Sequence, residues 1–136
     1  RLRPLPAEPE VVCLPMDGDA ARARLSAYVD GFKTGDFDAV RAMLAEDVKL
    51  DLVARLKRQG KGEVGEYLGR YAATRQWAFA AGIVDGRAGM LVYDREVSLH
   101  TPAYFVTIEF DGDRIASIRD FLFARYAMDG LEVHLL

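Results

Sequence analysis

Ile118-Arg119-Asp120-Phe121, near the end of the chain, sets two opposite charges among apolar neighbours. A charge in such a setting is costly unless it is exposed, paired or used. A carboxyl whose pKa is pushed up by a pocket serves as a general acid or base near neutral pH. Asp120 is therefore the candidate for proton transfer. Neighbours on a strand point to opposite faces, so Arg119 and Asp120 cannot serve one site together. The competing reading is structural, with one side chain in solvent and the other paired across the sheet or under a helix. His100 and His134 lie far apart, and no spacing of His, Cys, Asp and Glu suggests a metal site. Neither a nucleophile-elbow, a phosphate-loop nor a dinucleotide-binding glycine pattern is present, so no cofactor is expected. "ARLKRQGKG" carries Arg55, Lys57, Arg58 and Lys61. It reads either as a contact for an acidic partner or as a solvated hairpin edge whose cations discourage strand pairing.

The elements that must hold these residues follow from periodicity. Leu25, Tyr28, Val29 and Phe32 fall at helical spacing, which predicts a first helix capped by Asp17 or Asp19 and running to about Thr34. Gly35 suits a left-handed stop and Asp36 a new cap, so "FDAVRAMLAE" is a second helix. Val48, Leu50 and Leu52 alternate with Lys49 and Asp51 as a half-buried strand does. A short strand or loop follows. Val64, Tyr67, Leu68 and Tyr71 then mark a third helix from about Glu63 to Thr74. The remainder reads as strands: Trp77 to Val84, a turn at Asp85-Gly86, Arg87 to Asp94, Pro102 to Phe110, and Ile115 to Tyr126. Helices followed by a meander give an α+β fold with a pocket between helices and curved sheet. Alternation on Pro102 to Phe110 directs Tyr104, Val106 and Ile108 inward. Phe105 and other aromatics then face outward, so the outer face must be covered too, by a second copy or by more of a longer chain.

Composition narrows the classes. The 136 residues suffice for one core, and 51% hydrophobic with 29% charged is ordinary for a globular domain. A net charge of −3 lacks the basic footprint of direct nucleic-acid binding. Cys13 is the one cysteine, in keeping with a reducing, cytoplasmic setting. No apolar run reaches the roughly 18 residues of a membrane span. Pro4, Pro6, Pro9 and Pro15 exclude a helix at the start and favour extended structure. With Arg1 in place of an initiator methionine, this stretch is expected to be an interdomain linker or arm.

"YVDGFKTGDFDAVRAMLAEDVKLDL" and "DGDRIASIRDF" resemble the opening and close of the nuclear-transport-factor-2-like superfamily. The resemblance implies a cone-shaped, curved antiparallel sheet wrapped around three helices. It divides the chain into an arm at 1–18, a SnoaL-like domain at 19–128 and a tail at 129–136. The lead-in "RLRPLPAEPE", with "VKLDLVARLKRQGKGEVGEYLGRY" and "PAYFVTIEFDGDRIASIRDFLFARY", further resembles the SnoaL-like domain at the C-terminus of extracytoplasmic-function sigma factors. That implies RNA polymerase or other sigma-factor regions as partners, with Arg55, Lys57 and Arg58 as contacts. It also allows a small apolar ligand in a cone pocket lined by Tyr28, Leu52, Trp77, Tyr104, Val106 and Asp120, and a homodimer of the kind relatives form.

The enzymes of this superfamily give a stricter comparison. Ketosteroid isomerases use a tyrosine, an aspartate base and a protonated aspartic acid, and those positions fall on Tyr28, Leu52 and Val106. A leucine cannot abstract a proton, and Asp51 faces the other way. Limonene-epoxide-hydrolase-like enzymes match at Asp120, but their water-holding pair falls on Leu50 and Leu52. Arg95 is out of register, and Val97 or Ser98 stands where their second carboxylate belongs. SnoaL-type cyclases need chiefly one acid-base aspartate, which Asp120 supplies. The reading is thus a sigma-factor accessory domain, with a pocket enzyme using Asp120 or a dimeric ligand-binding module as alternatives.

Overall fold

The structure, a computed structural model, describes residues 19–136; the Pro-rich arm, the Asp17 cap and Cys13 lie outside the described residues. Helix α1 spans Asp19–Thr34 and buries Leu25, Tyr28, Val29 and Phe32 along one face. Gly31 sits where a Cβ would lie 2.4 Å from Val40 Cγ2, so its missing side chain lets α2 pack close. Gly35 takes φ +78° at the turn. Asp36 then accepts from the Ala39 amide at 3.2 Å and starts α2, Phe37–Ala42. The chain passes directly into β1, Leu44–Leu52, which pairs with β2, Leu56–Gln59. Helix α3 spans Lys61–Ala72 and buries Val64, Tyr67, Leu68 and Tyr71. Strands β3 (Trp77–Val84), β4 (Arg87–Asp94), β5 (Tyr104–Asp111) and β6 (Arg114–Asp120) complete the meander, and β7 (Val133–Leu135) adds an edge.

The sheet order is β2-β1-β6-β5-β4-β3-β7. It is antiparallel except at β1 and β6, which run parallel. That pairing joins the first strand to the last of the meander, and local sequence carries no mark of it. The helices cover the concave face. The main core lies between them and Val48, Leu50 and Leu52 of β1, Met90 and Val92 of β4, Tyr104, Val106 and Ile108 of β5, and Ile115 and Ile118 of β6.

The sequence-based expectation of one strand from Ile115 to Tyr126 requires correction. β6 stops at Asp120. The chain then leaves the sheet, forms a 3₁₀ turn at Arg125–Met128, and returns as β7 against β3. The cause is local: the Asp120 carboxylate accepts from the Leu122 amide at 2.9 Å, which turns the backbone away from the ladder. The stretch read as a tail, 129–136, therefore contains a strand. With the residues just before it, it covers part of the outer face. Val84, Leu91, Tyr93 and Phe105 form a second cluster on the outer face, packed against Phe121, Ala127, Met128, Leu131 and Val133. Phe105 and Phe121 stack with centroids 4.2 Å apart.

β7 docks closely because Gly82 has no side chain. A Cβ there would lie 2.7 Å from the His134 carbonyl oxygen and 3.2 Å from Leu91. Gly82→Ala is expected to prise β7 off the edge and cost about 1–3 kcal/mol, read as a lower midpoint in urea with early loss of amide protection at β7. An unchanged midpoint would show that β7 contributes nothing to the fold.

Candidate functional site

The spacing of Tyr67 and Tyr71, four residues apart on α3, puts both phenols on one face, aimed at the end of β6. Asp120 waits there with none of its surface exposed. Its Oδ2 accepts from the Tyr67 and Tyr71 hydroxyls, each at 2.7 Å, and its Oδ1 from the Leu122 amide. Tyr71 is also bonded to the Tyr104 hydroxyl. A phenol has one proton to give. Since Tyr71 gives its proton to Asp120, Tyr104 must donate to Tyr71. The result is a directed chain, Tyr104 to Tyr71 to Asp120, met from the other side by Tyr67.

The electrostatics are self-consistent. Burial pushes the Asp120 carboxyl above the ordinary carboxylate range, while donation from Tyr67, Tyr71 and Leu122 pulls it back. Burial first, then the Asp120 charge, pushes the phenols of Tyr67 and Tyr71 well above their usual value, so they stay protonated and able to donate. Tyr28, from α1, is wholly buried nearby, and its pKa is raised by burial and by the Asp120 and Tyr104 charges. Its hydroxyl has no hydrogen-bond partner among the described residues.

Register explains why the enzyme patterns fail. Asp120 lies beside Leu52 of β1 and opposite Val106 of β5. The two positions that the isomerase pattern assigns to a base and an acid thus flank the carboxylate that is present. One charge in the middle strand, between two apolar side chains, replaces two charges on outer strands. A cavity of about 60 Å³ adjoins it, lined by Leu52, Tyr67, Arg70, Tyr71, Trp77, Asp120, Leu122 and Phe123. That is far below the roughly 300–1,000 Å³ of sites for drug-sized ligands. Arg125 closes the side, its guanidinium 5.7 Å from the ring centroids of both Trp77 and Tyr104.

Arg119 points to the other face, where it meets Asp51 at 3.5 Å. Of the hairpin cations, Arg55 lies 4.7 Å over the Phe123 ring and Arg58 pairs with Glu63 at 3.5 Å. Lys57 is exposed opposite Asp51 in the strand register. His100 and His134 are both exposed, and the described residues hold no group of three potential metal ligands. Tyr67 and Tyr71, the direct partners of Asp120, look in the sequence like core positions of an amphipathic helix. Their one distinguishing mark is that two hydroxyls share the buried face.

The network makes a pH-dependent prediction. Asp120 holds its proton more tightly in the folded than in the unfolded chain. Its contribution to stability is thus most favourable below the ordinary carboxylate pKa of about 4 and is lost as pH rises through the raised value. The urea midpoint of the wild type, taken relative to Asp120→Asn, should fall as pH rises above about 4. A flat difference would reject a buried, ionising Asp120. Tyr71→Phe removes a donor from Asp120 and an acceptor from Tyr104 and should cost about 2 kcal/mol at neutral pH.

A scan of family models matches none, and no curated protein matches the sequence. Solved structures do match. A candidate polyketide cyclase from Pseudomonas putida superposes with a TM-score of 0.56 at 21% identity, covering 76% of this chain and 91% of its own. Bal32a, from a soil-derived mobile gene cassette, gives 0.57 at 18%, covering 79% and 92%. A nuclear-transport-factor-2-like protein of unknown function from Cytophaga hutchinsonii gives 0.51 at 11%, covering 76% and 91%. At these identities the likeness is one of fold. The three helices, the curved sheet they fill and these neighbours together place the chain in the nuclear-transport-factor-2-like, or SnoaL-like, α+β cone fold.

Proposed function

We propose that this domain is the C-terminal accessory domain of a cytoplasmic extracytoplasmic-function sigma factor, and that it modulates transcription initiation through protein contacts. The resemblance of three sequence stretches supports it. The observation that carries it over an enzymatic reading is the state of Asp120. The carboxylate is wholly buried with three donors on it, beside a cavity of about 60 Å³. A general base needs a lone pair within reach of a substrate proton and room for the substrate. Here the cone interior is occupied by the protein's own tyrosines. The exterior remains for partners, and Lys57 with Arg55 and Arg58 presents the hairpin cations there. No helix among the described residues is long and apolar enough to cross a membrane.

A second reading rests on the same cavity. Asp120 has a raised pKa and lines a small space beside Trp77 and Phe123. A small pocket enzyme would use it as an acid-base group, with Tyr67 and Tyr71 setting its pKa. A homodimeric ligand-binding module would use the same space without chemistry.

The test is transcription by RNA polymerase with the full-length protein, compared with a chain cut within residues 1–18 to remove the domain. Transcript yield from a cognate promoter is expected to change severalfold. Arg55→Glu with Lys57→Glu should shift yield in the same direction, with thermal unfolding close to wild type. Equal transcription from both chains would overturn the accessory-domain reading. Asp120→Asn separates the second reading: loss of turnover on a cyclase or isomerase substrate would establish the enzyme, and transcription unaffected by that variant is expected under the first.

A further inference from the structure

Tyr71 and Trp77 form a wall with two sides. One side lines the small cavity at Asp120. The other lines a separate groove of about 730 Å³ between the C-terminal ends of α1 and α3 and the first half of β3. Its floor is aromatic. Phe32 meets Phe79 and Tyr71 edge to face at 5.2 and 5.3 Å, and Trp77 continues the surface. Its rim is cationic, with Lys33, Arg75 and Arg95 and no aspartate or glutamate among the lining residues.

The rim cations are not neutralised by carboxylates among the described residues, although several other surface cations are unpaired too. Arg41, Arg58, Lys61, Arg87 and Arg119 each have a carboxylate partner within 4.0 Å. Lys33, Arg75 and Arg95 have none among the described residues. The dipole of α1 accounts for Lys33, which sits in its last turn. It does not account for Arg95, just past the end of β4, whose Nε donates to the Trp77 carbonyl at 3.2 Å and is thereby fixed at the groove edge. Three cations lining one concavity repel one another and attract a counter-charge. The volume falls within the range of small-molecule sites, roughly 300–1,000 Å³.

We infer that this groove binds a small organic anion with a planar apolar body, of the arenecarboxylate class. Its ring lies on Trp77 and Phe79, and its carboxylate lies among Lys33, Arg75 and Arg95. The site is distinct from the Asp120 cavity and does not depend on the accessory-domain reading. Occupancy would press on Tyr71 and Trp77, and so reach the tyrosine chain on Asp120 from behind.

Trp77 is the one tryptophan of the chain, so a single indole N–H resonance reports on the groove. The protein would be titrated with naphthoate and, separately, with the neutral naphthylmethanol. Naphthoate is expected to move the Trp77 indole signal saturably. Naphthylmethanol should bind about tenfold more weakly, as should naphthoate to the Arg75→Gln, Arg95→Gln double variant. Arg95→Lys should retain most of the affinity, which separates charge from shape. An unchanged indole signal, equal affinity for both probes, or an unaffected double variant would overturn the proposal. A saturable shift with an acidic, phenylalanine-containing peptide but none with naphthoate would also overturn it, in favour of a protein partner.

Discussion

The rest of the domain is arranged around a single buried carboxylate. Asp120 is an ionisable group, wholly enclosed and set between Leu52 and Val106. Left unpartnered, such a group would cost several kcal/mol and would neutralise instead. Two phenols and one amide offset part of that cost, the phenols tying α3 to β6 and the amide the segment that follows it. Tyr67 and Tyr71 fix the rotation and depth of α3 against the sheet. The Leu122 amide fixes where β6 ends. Through Tyr71 the restraint passes to Tyr104 and hence to β5. Removing any one donor leaves the others bearing a charge with less compensation, so the network behaves as a unit and its parts do not add.

The end of β6 has consequences on the far side of the sheet. Because the chain turns out at Asp120, Phe121 is free to stack on Phe105, and the following residues fold over Leu91 and Val84. The outer face is thus divided. The β3-β4-β5 half is apolar and covered by the chain's own last segment. The β2-β1-β6 half carries Lys49, Asp51, Lys57, Ser117 and Arg119, with the Asp51–Arg119 pair across its middle. One side chain at the strand end therefore organises both layers: inward it fixes the helices, and outward it releases the segment that seals the sheet.

Much of this is legible in the sequence, where local period and local chemistry agree. Leu25, Tyr28, Val29 and Phe32 can make only a one-faced helix, and Asp36 after Gly35 can hardly do other than restart one. The alternation on β5 separates Tyr104, Val106 and Ile108 from Phe105 without ambiguity. What is not legible is non-local. Phe121, Leu122 and Phe123 continue an apolar pattern, and only a backbone bond to the preceding side chain ends the strand. β7 is three residues long, and its partner is an edge about fifty positions earlier. Asp120 is conspicuous in the sequence as a misplaced charge. Tyr67 and Tyr71 are not, because a core tyrosine and a carboxylate donor have the same spacing. They are told apart only by what lies 53 and 49 residues away.

The same geometry bears on what the cone can do. In a working acid-base site the charged groups face space. Here the space beside the carboxylate is about 60 Å³, and its walls include all three residues already donating to it. Enlarging it means moving Tyr67, Tyr71 or the Leu122–Phe123 segment, and each of those moves removes a donor from Asp120 or uncovers the Arg55–Phe123 contact. A ligand entering from that side must replace the hydrogen bonds it breaks. One settling against the opposite side of Tyr71 and Trp77 meets no such requirement, since the rim cations there lack carboxylate partners and the aromatic floor is already formed. The energetic asymmetry between the two faces of that wall favours the groove as the place where this domain takes up a small molecule, and the closed cone as the frame that holds the groove in shape.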